Sequence, residues 1–304
     1  MLGLLIVCYL FLGGAGAGVF AISAAIDLFG HRSRHHDPSM PSRADGLFYG
    51  LSGSGFLLSL AALVVGTVCL VADLERPDLA HLVFLNPTFT IISIGAYALA
   101  LLTACAGFLA LNWGLDLPQI PRALVRAVEA AGLVLALAVM VYTGLLLQSF
   151  KAVDFWETPL VTVIFVLSSL ATGGALLVGA TLFLDMGHSL YRTLGRLFRF
   201  GMVVTLLEAV CAVALLFAAA AGEDTAASAR ALLTGEYAVA FWMGFVLCGL
   251  ALPLLMELLV LGHGHPAVAA ALAGSVLVGG FYLRFCIVGA GIQPGAILAH
   301  VFGT

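Results

Sequence analysis

Five carboxylates stand inside or at the edges of long apolar stretches in this chain of 304 residues: Asp27, Glu129, Asp185, Glu208 and Glu257. An ionisable group held in an apolar interior is costly, so each is a candidate for function. Glu208 lies near the middle of its stretch, Asp27, Asp185 and Glu257 near one end of theirs, and Glu129 near the start. Glu208, Glu257, Asp27 and Asp185 have the staggered depths that a proton or ion path requires. The plain alternative, for those near an end, is a side chain that reaches the polar interface. Arg284 lies well along the last stretch with no charge near it in sequence, and Tyr142 sits at a similar depth in the fourth. A phenol both donates and accepts a hydrogen bond. A guanidinium is a fixed positive charge whose effect grows where water is excluded. His81, in a polar break, can change charge near neutral pH. Together these groups could hold an oxygen atom while it gains or loses a proton.

Other chemistries are poorly served. The eight histidines are His31, His35, His36, His81, His188, His263, His265 and His300, none in the middle of an apolar stretch. Axial haem ligation between facing helices, usually by histidine, is therefore not provided for. The six cysteines, Cys8, Cys69, Cys105, Cys211, Cys248 and Cys286, lie singly in apolar runs with no CxxC spacing. That pattern fits small buried hydrophobes, not an iron–sulfur cluster, a zinc site or a structural disulfide framework.

The elements that must position these groups follow from composition. Hydrophobic residues make up 62% of the chain and charged residues 9%, against about 25% charged in soluble domains, and the mean hydropathy is +1.15. A soluble fold of this length could not cover so much apolar surface. A disulfide-rich secreted domain, a disordered chain and a nucleic-acid binder are excluded on the same grounds. The expected fold is a single all-α integral membrane domain over residues 1–304. Its eight spans fall at about 3–27, 47–72, 88–112, 123–149, 160–184, 197–221, 238–261 and 267–290. The breaks between them leave no room for a soluble catalytic domain, so water-phase chemistry must belong to a partner.

Residues 1–28 have no basic segment ahead of the apolar run, and Arg32 and Arg34 follow it, which favours a retained first helix. Eight Lys and Arg residues fall in alternate breaks on one side (Arg32, Arg34, Arg43, Arg122, Arg126, Arg192, Arg196, Arg199). Three fall on the other (Arg76, Lys151, Arg230). The positive-inside rule then puts both termini on the outer face of a cytoplasmic membrane. Glycines crowd the first, second and fifth spans, where they let helix backbones approach closely. Two outer breaks, Asp73–Thr88 and Phe150–Pro159, mix aromatic, charged and proline residues. They suit a docking surface for a peripheral partner, with Glu75, Lys151, Asp154 and Trp156 as its candidates.

Six segments then recur together and in order: YLFLGGAGAG (Tyr9–Gly18), DLERPDLAHLVFLNP (Asp73–Pro87), ISIGAYAL (Ile92–Leu99), YTGLLLQSFKAVDFWETP (Tyr142–Pro159), SSLATGGALL (Ser168–Leu177) and LRFCIVGAG (Leu283–Gly291). With these the chain resembles, over essentially its whole length, the polysulfide-reductase-type membrane anchors, the NrfD/PsrC-type quinone-reactive subunits. The resemblance implies a haem-free subunit, without an iron–sulfur cluster of its own. Such a subunit exchanges electrons between a diffusible menaquinone or ubiquinone and a four-cluster iron–sulfur subunit wired to a molybdopterin catalytic subunit. It also implies that Tyr142 hydrogen-bonds a quinone oxygen, that Arg76, His81 and Asn86 lie in the loop closing the pocket, and that Arg284 is the helix 8 arginine of these proteins. Two departures stand out: only Tyr9 offers a polar contact from the first helix, and Tyr97 replaces a common tryptophan.

A quinol gives up two electrons and two protons, so its oxygens need partners that tolerate proton loss. Tyr142, His81 and Arg284 are expected to converge on one head group, with Glu208, Glu257, Asp27 and Asp185 linking it to the cytoplasm as a path for proton translocation. Two other readings stay open: a structural anchor without quinone turnover, and an ion- or proton-coupled transporter.

Overall fold

A computed structural model describes residues 3–30, 43–73, 90–115, 120–150, 153–183, 189–222, 225–260 and 266–292. The described residues are helical and contain no strand. The helices are α1 (Leu4–Gly30), α2 (Arg43–Asp73), α3 (Ile91–Leu115), α4 (Arg122–Gln148), α5 (Pro159–Phe183), α6 (Ser189–Ala221), α7 (Ala226–Leu233), a π-helical segment (Ala240–Ala251) running into α8 (Leu252–Val260), and α9 (Pro266–Gly291). Seven of them are long and apolar enough to cross a membrane. Backbone polar groups in hydrocarbon must be satisfied within the segment, which is why apolar runs of this length close into helices.

The seventh expected stretch, 238–261, is realised differently. It is helical from Ala240 to Val260, but its first part, Ala240–Ala251, is wound as a π-helix. Pro253 supplies a reason: proline has no N–H, and its ring crowds the carbonyl four residues earlier. Immediately before it, Leu252 N–H bonds Leu247 O, five residues back. The short helix α7 has no counterpart among the expected spans. It forms in the break after α6, burying Ser228, Ala229, Ala231 and Leu232, and Trp242 donates from its indole N–H to Leu233 O at 3.1 Å.

Helix α1 is the centre of the bundle, packing on α2, α4, α5 and α9. Helices α1–α4 form one group. Helices α5, α6 and α9 with the π segment form another, and α1 and α4 join the two through α5. Small residues make the closest crossings. A Cβ at Gly18 would overlap the Ser169 carbonyl, and one at Gly173 would overlap Gly18. Gly249 and Gly279 meet in the same way between the π segment and α9. No side chain fits at these crossings, and the short separation puts Ser169 beside α1.

Candidate functional site

Tyr142 projects from α4 with its ring lying where a Cβ on Gly95 of α3 would be. On its other side is Tyr9 of α1, whose ring touches the Cβ position of Gly13 at 3.4 Å. Tyr142 is 7% exposed and Tyr9 fully enclosed. The two hydroxyl groups face each other closely enough to interact, but short of hydrogen-bond geometry, so Tyr9 Oη is buried without a partner. A buried hydroxyl left unbonded costs about 1–3 kcal/mol. A small rotation that lets Tyr9 donate to Tyr142, or an oxygen-bearing ligand within reach of the phenols, would remove that cost. Gln148, two turns beyond Tyr142, donates to Thr158 O at 3.0 Å and Thr162 Oγ1 at 3.1 Å, fixing this end of α4 to α5.

A second cluster begins one residue from Tyr9. Arg284 of α9 is completely enclosed. Its Nε donates to Leu10 O at 3.1 Å, Nη1 to Gly280 O at 2.8 Å and Ser168 Oγ at 3.0 Å, and Nη2 to Ser169 Oγ at 2.9 Å. The guanidinium also faces the rings of Phe11 and Phe165, at 5.7 and 5.3 Å from their centroids. Gly14 makes room for it, since a Cβ there would come within 2.7 Å of Nη2. One side chain thereby ties α1, α5 and α9 together. Glu208 of α6, 4% exposed, lies on the far side of Ser168 and is the charge that faces Arg284. Ser168 Oγ accepts from the arginine, which leaves its own proton to donate towards the carboxylate. A buried cation is tolerable only when its donors are met and an opposite charge is near, and both conditions hold here.

A third cluster sets the carboxyl group of Asp27 of α1 beside that of Glu129 of α4, which is 2% exposed, with Arg126 nearby.

Of the expected residues, Tyr142 and Tyr9 are brought together. Arg284 is fully enclosed among helices. Glu208 and Asp27 fall in separate clusters, Glu208 with Arg284 and Asp27 with Glu129. Trp156 is 1% exposed: its indole N–H donates to Ile287 O at 2.9 Å, and its ring lies over Gly291. It faces the interior, whereas Asp154 beside it is exposed, as a docking residue must be. Glu75, Arg76, His81, Asn86, Lys151 and Asp185 lie outside the described residues, as does the side chain of Glu257. Ser168, Ser169 and the Leu10 carbonyl carry the arginine, and sequence reasoning misses all three. The paired serines ahead of Gly173 are the only sequence signal, and serines in membrane helices usually bond their own backbone. Among the described residues, no group of three metal-ligating side chains occurs.

A family model described as "Polysulphide reductase, NrfD" matches residues 1–295. Among curated proteins, the sequence is 31% identical to the C subunit of the polysulfide reductase of Wolinella succinogenes, covering 94% of this protein and 92% of that one. It is 29% identical to protein NrfD of Escherichia coli K12, covering 94% and 93%. With seven helices of spanning length and composition, these matches describe a multi-pass integral membrane protein.

Proposed function

The chain belongs to the polysulphide reductase NrfD family, and from that premise we propose that it is the haem-free membrane subunit exchanging electrons between menaquinone or ubiquinone and a partner iron–sulfur subunit of a respiratory molybdoenzyme complex. The observation that carries this reading is the Tyr9–Tyr142 pair. A phenol at 7% exposure stands in front of an enclosed phenol with an unbonded hydroxyl, as a site for a two-proton, two-electron substrate should be arranged. Tyr142 is the contact to the quinone oxygen and Tyr9 the acceptor behind it. His81, Arg76 and Asn86 belong to the loop that closes the site. Both termini and this site lie on the outer face of the cytoplasmic membrane. The stretch 238–261 supplies the eighth crossing, and Glu75, Lys151 and Asp154 face the iron–sulfur partner.

The distribution of buried charge extends the proposal. Arg284 holds α1 against α5 and α9, and so fixes the backbone on which Tyr9 stands; its distance from solvent suits a positioning role. Glu208 and the Asp27–Glu129 pair are stations where a proton can rest between the site and the cytoplasm, with Asp185 and Glu257 at the cytoplasmic ends. Glu208→Gln removes the titrating group but keeps its shape and its bond to Ser168. It also leaves Arg284 without its counter-charge, so less complex should accumulate; the complex that does assemble, in proteoliposomes, should keep quinol oxidation and lose proton release coupled to turnover. Full coupling in that variant would remove Glu208 from the path.

The direct test of the functional reading is purification of the intact complex from its native membrane. Stoichiometric iron, labile sulfide and molybdenum should accompany this chain, together with quinol-dependent reduction of the clusters. A chain that purifies alone and transports an ion would answer to the transporter reading instead. A metal-bearing complex with no quinol reactivity would leave only an anchor.

A further inference from the structure

Helices α1 and α2 run antiparallel in a register set by their small residues. A Cβ at Gly16 would meet Leu63 and Ala62, one at Gly66 would meet Leu12 and Gly13, and one at Gly3 would meet Asp73 Oδ1. Each step up α1 is thus matched by a step down α2. Cys8, one turn before Leu12, falls opposite Cys69, one turn after Gly66. The two thiols are near enough to interact electrostatically. Both are reduced and both are half-buried, so the edge of this crossing is open to a small reagent. Cys8 is four residues inside the start of α1 and Cys69 four residues inside the end of α2, which places each about 6 Å from its helix end.

We propose that Cys8 and Cys69 are a redox-active dithiol that closes to an interhelical disulfide under a two-electron thiol oxidant. A disulfide needs Cα atoms about 4.4–6.8 Å apart, and the close backbone contact of Gly66 on Gly13, within a turn and a half of both cysteines, is where the two helices approach on that side. The reaction balances with diamide as the oxidant. Each thiol gives up its proton, one S–S bond forms, and the two electrons and two protons reduce the N=N bond to a hydrazine. Neither sulfur belongs to the quinone site or the arginine cluster, although Cys8 precedes Tyr9 directly. The link would fix the end of α1 that carries Tyr9 to α2.

The test uses the whole complex in native membranes, treated with diamide, blocked with N-ethylmaleimide, digested with pepsin and analysed by mass spectrometry. We expect one cross-linked pair joining the peptides of Cys8 and Cys69. It should be lost on dithiothreitol treatment and missing in Cys8→Ser and Cys69→Ser. Wild-type complex in which both cysteines carry maleimide after diamide treatment, with no cross-linked pair, would overturn the proposal. That arm needs no variant to fold.

Discussion

Tyr142→Phe should lower quinol turnover by roughly 10²-fold, the usual contribution of one positioned proton-transfer group, while the complex still assembles with its metals. The substitution removes one oxygen and leaves the ring on Gly95, so packing against α3 is kept. What disappears is the hydroxyl in front of Tyr9. In the proposed site that oxygen bonds the substrate as well as relaying its proton, so KM should rise while kcat falls. Steady-state oxidation of a soluble quinol analogue by purified complex checks this, with iron and molybdenum content as the measure of assembly. Wild-type kinetics in the variant would move the substrate away from the phenol pair.

Arg284→Leu should act on the fold. It removes the bonds to the Leu10 and Gly280 carbonyls, Ser168 and Ser169, and leaves Glu208 buried without its counter-charge. Removing one partner of a buried ionic cluster typically costs about 3–5 kcal/mol. A marginally stable membrane bundle should then fail to accumulate. The sequence suggests Arg284 as a quinone contact, and its enclosure among helices supports a role in holding the fold. The double variant Arg284→Leu with Glu208→Gln isolates the electrostatic part. Neutralising the stranded carboxylate should recover about 1 kcal/mol or more of the loss, within the range of coupling between neighbouring residues. Thermal unfolding of the detergent-purified chain, with membrane abundance as a second readout, measures both. Equal stability in Arg284→Leu and wild type would show that the cluster does not hold the helices.

Membrane character and the course of most helices are legible in the sequence because about twenty apolar residues in a row leave a chain few alternatives. The stretch at 238–261 shows the limit. Its hydropathy is that of any span, but Pro253 reshapes the turns before it, and hydropathy carries no information on winding. Tyr142 and Tyr9 are legible as candidates since each is a polar group at a chosen depth. Their meeting is not, because it depends on α3 offering Gly95 and α1 turning Tyr9 towards α4. Arg284 looks unpaired in the sequence because its partners are remote, 274 residues away at Leu10 and 116 at Ser168. One of those partners is a backbone carbonyl, which no residue pattern can announce. Trp156 is expected in the sequence as a docking residue, and only the position of the Ile287 carbonyl shows that its N–H is spent inside the fold. Asp27 and Glu129 each sit near an end of an apolar run, where reaching for the interface is the simplest outcome. Packing of α1 on α4 turns them towards each other instead.

The most direct measurement is a fluorescence-quench titration of the intact complex with a quinol-site inhibitor, in wild type and in Tyr142→Phe. Saturable binding near one equivalent in wild type, weakened about tenfold or more by loss of a hydrogen bond worth about 1.4 kcal/mol, is what a quinone site at the phenol pair requires. Absence of saturable binding in a fully assembled complex, or binding that Tyr142→Phe leaves unchanged, would contradict it.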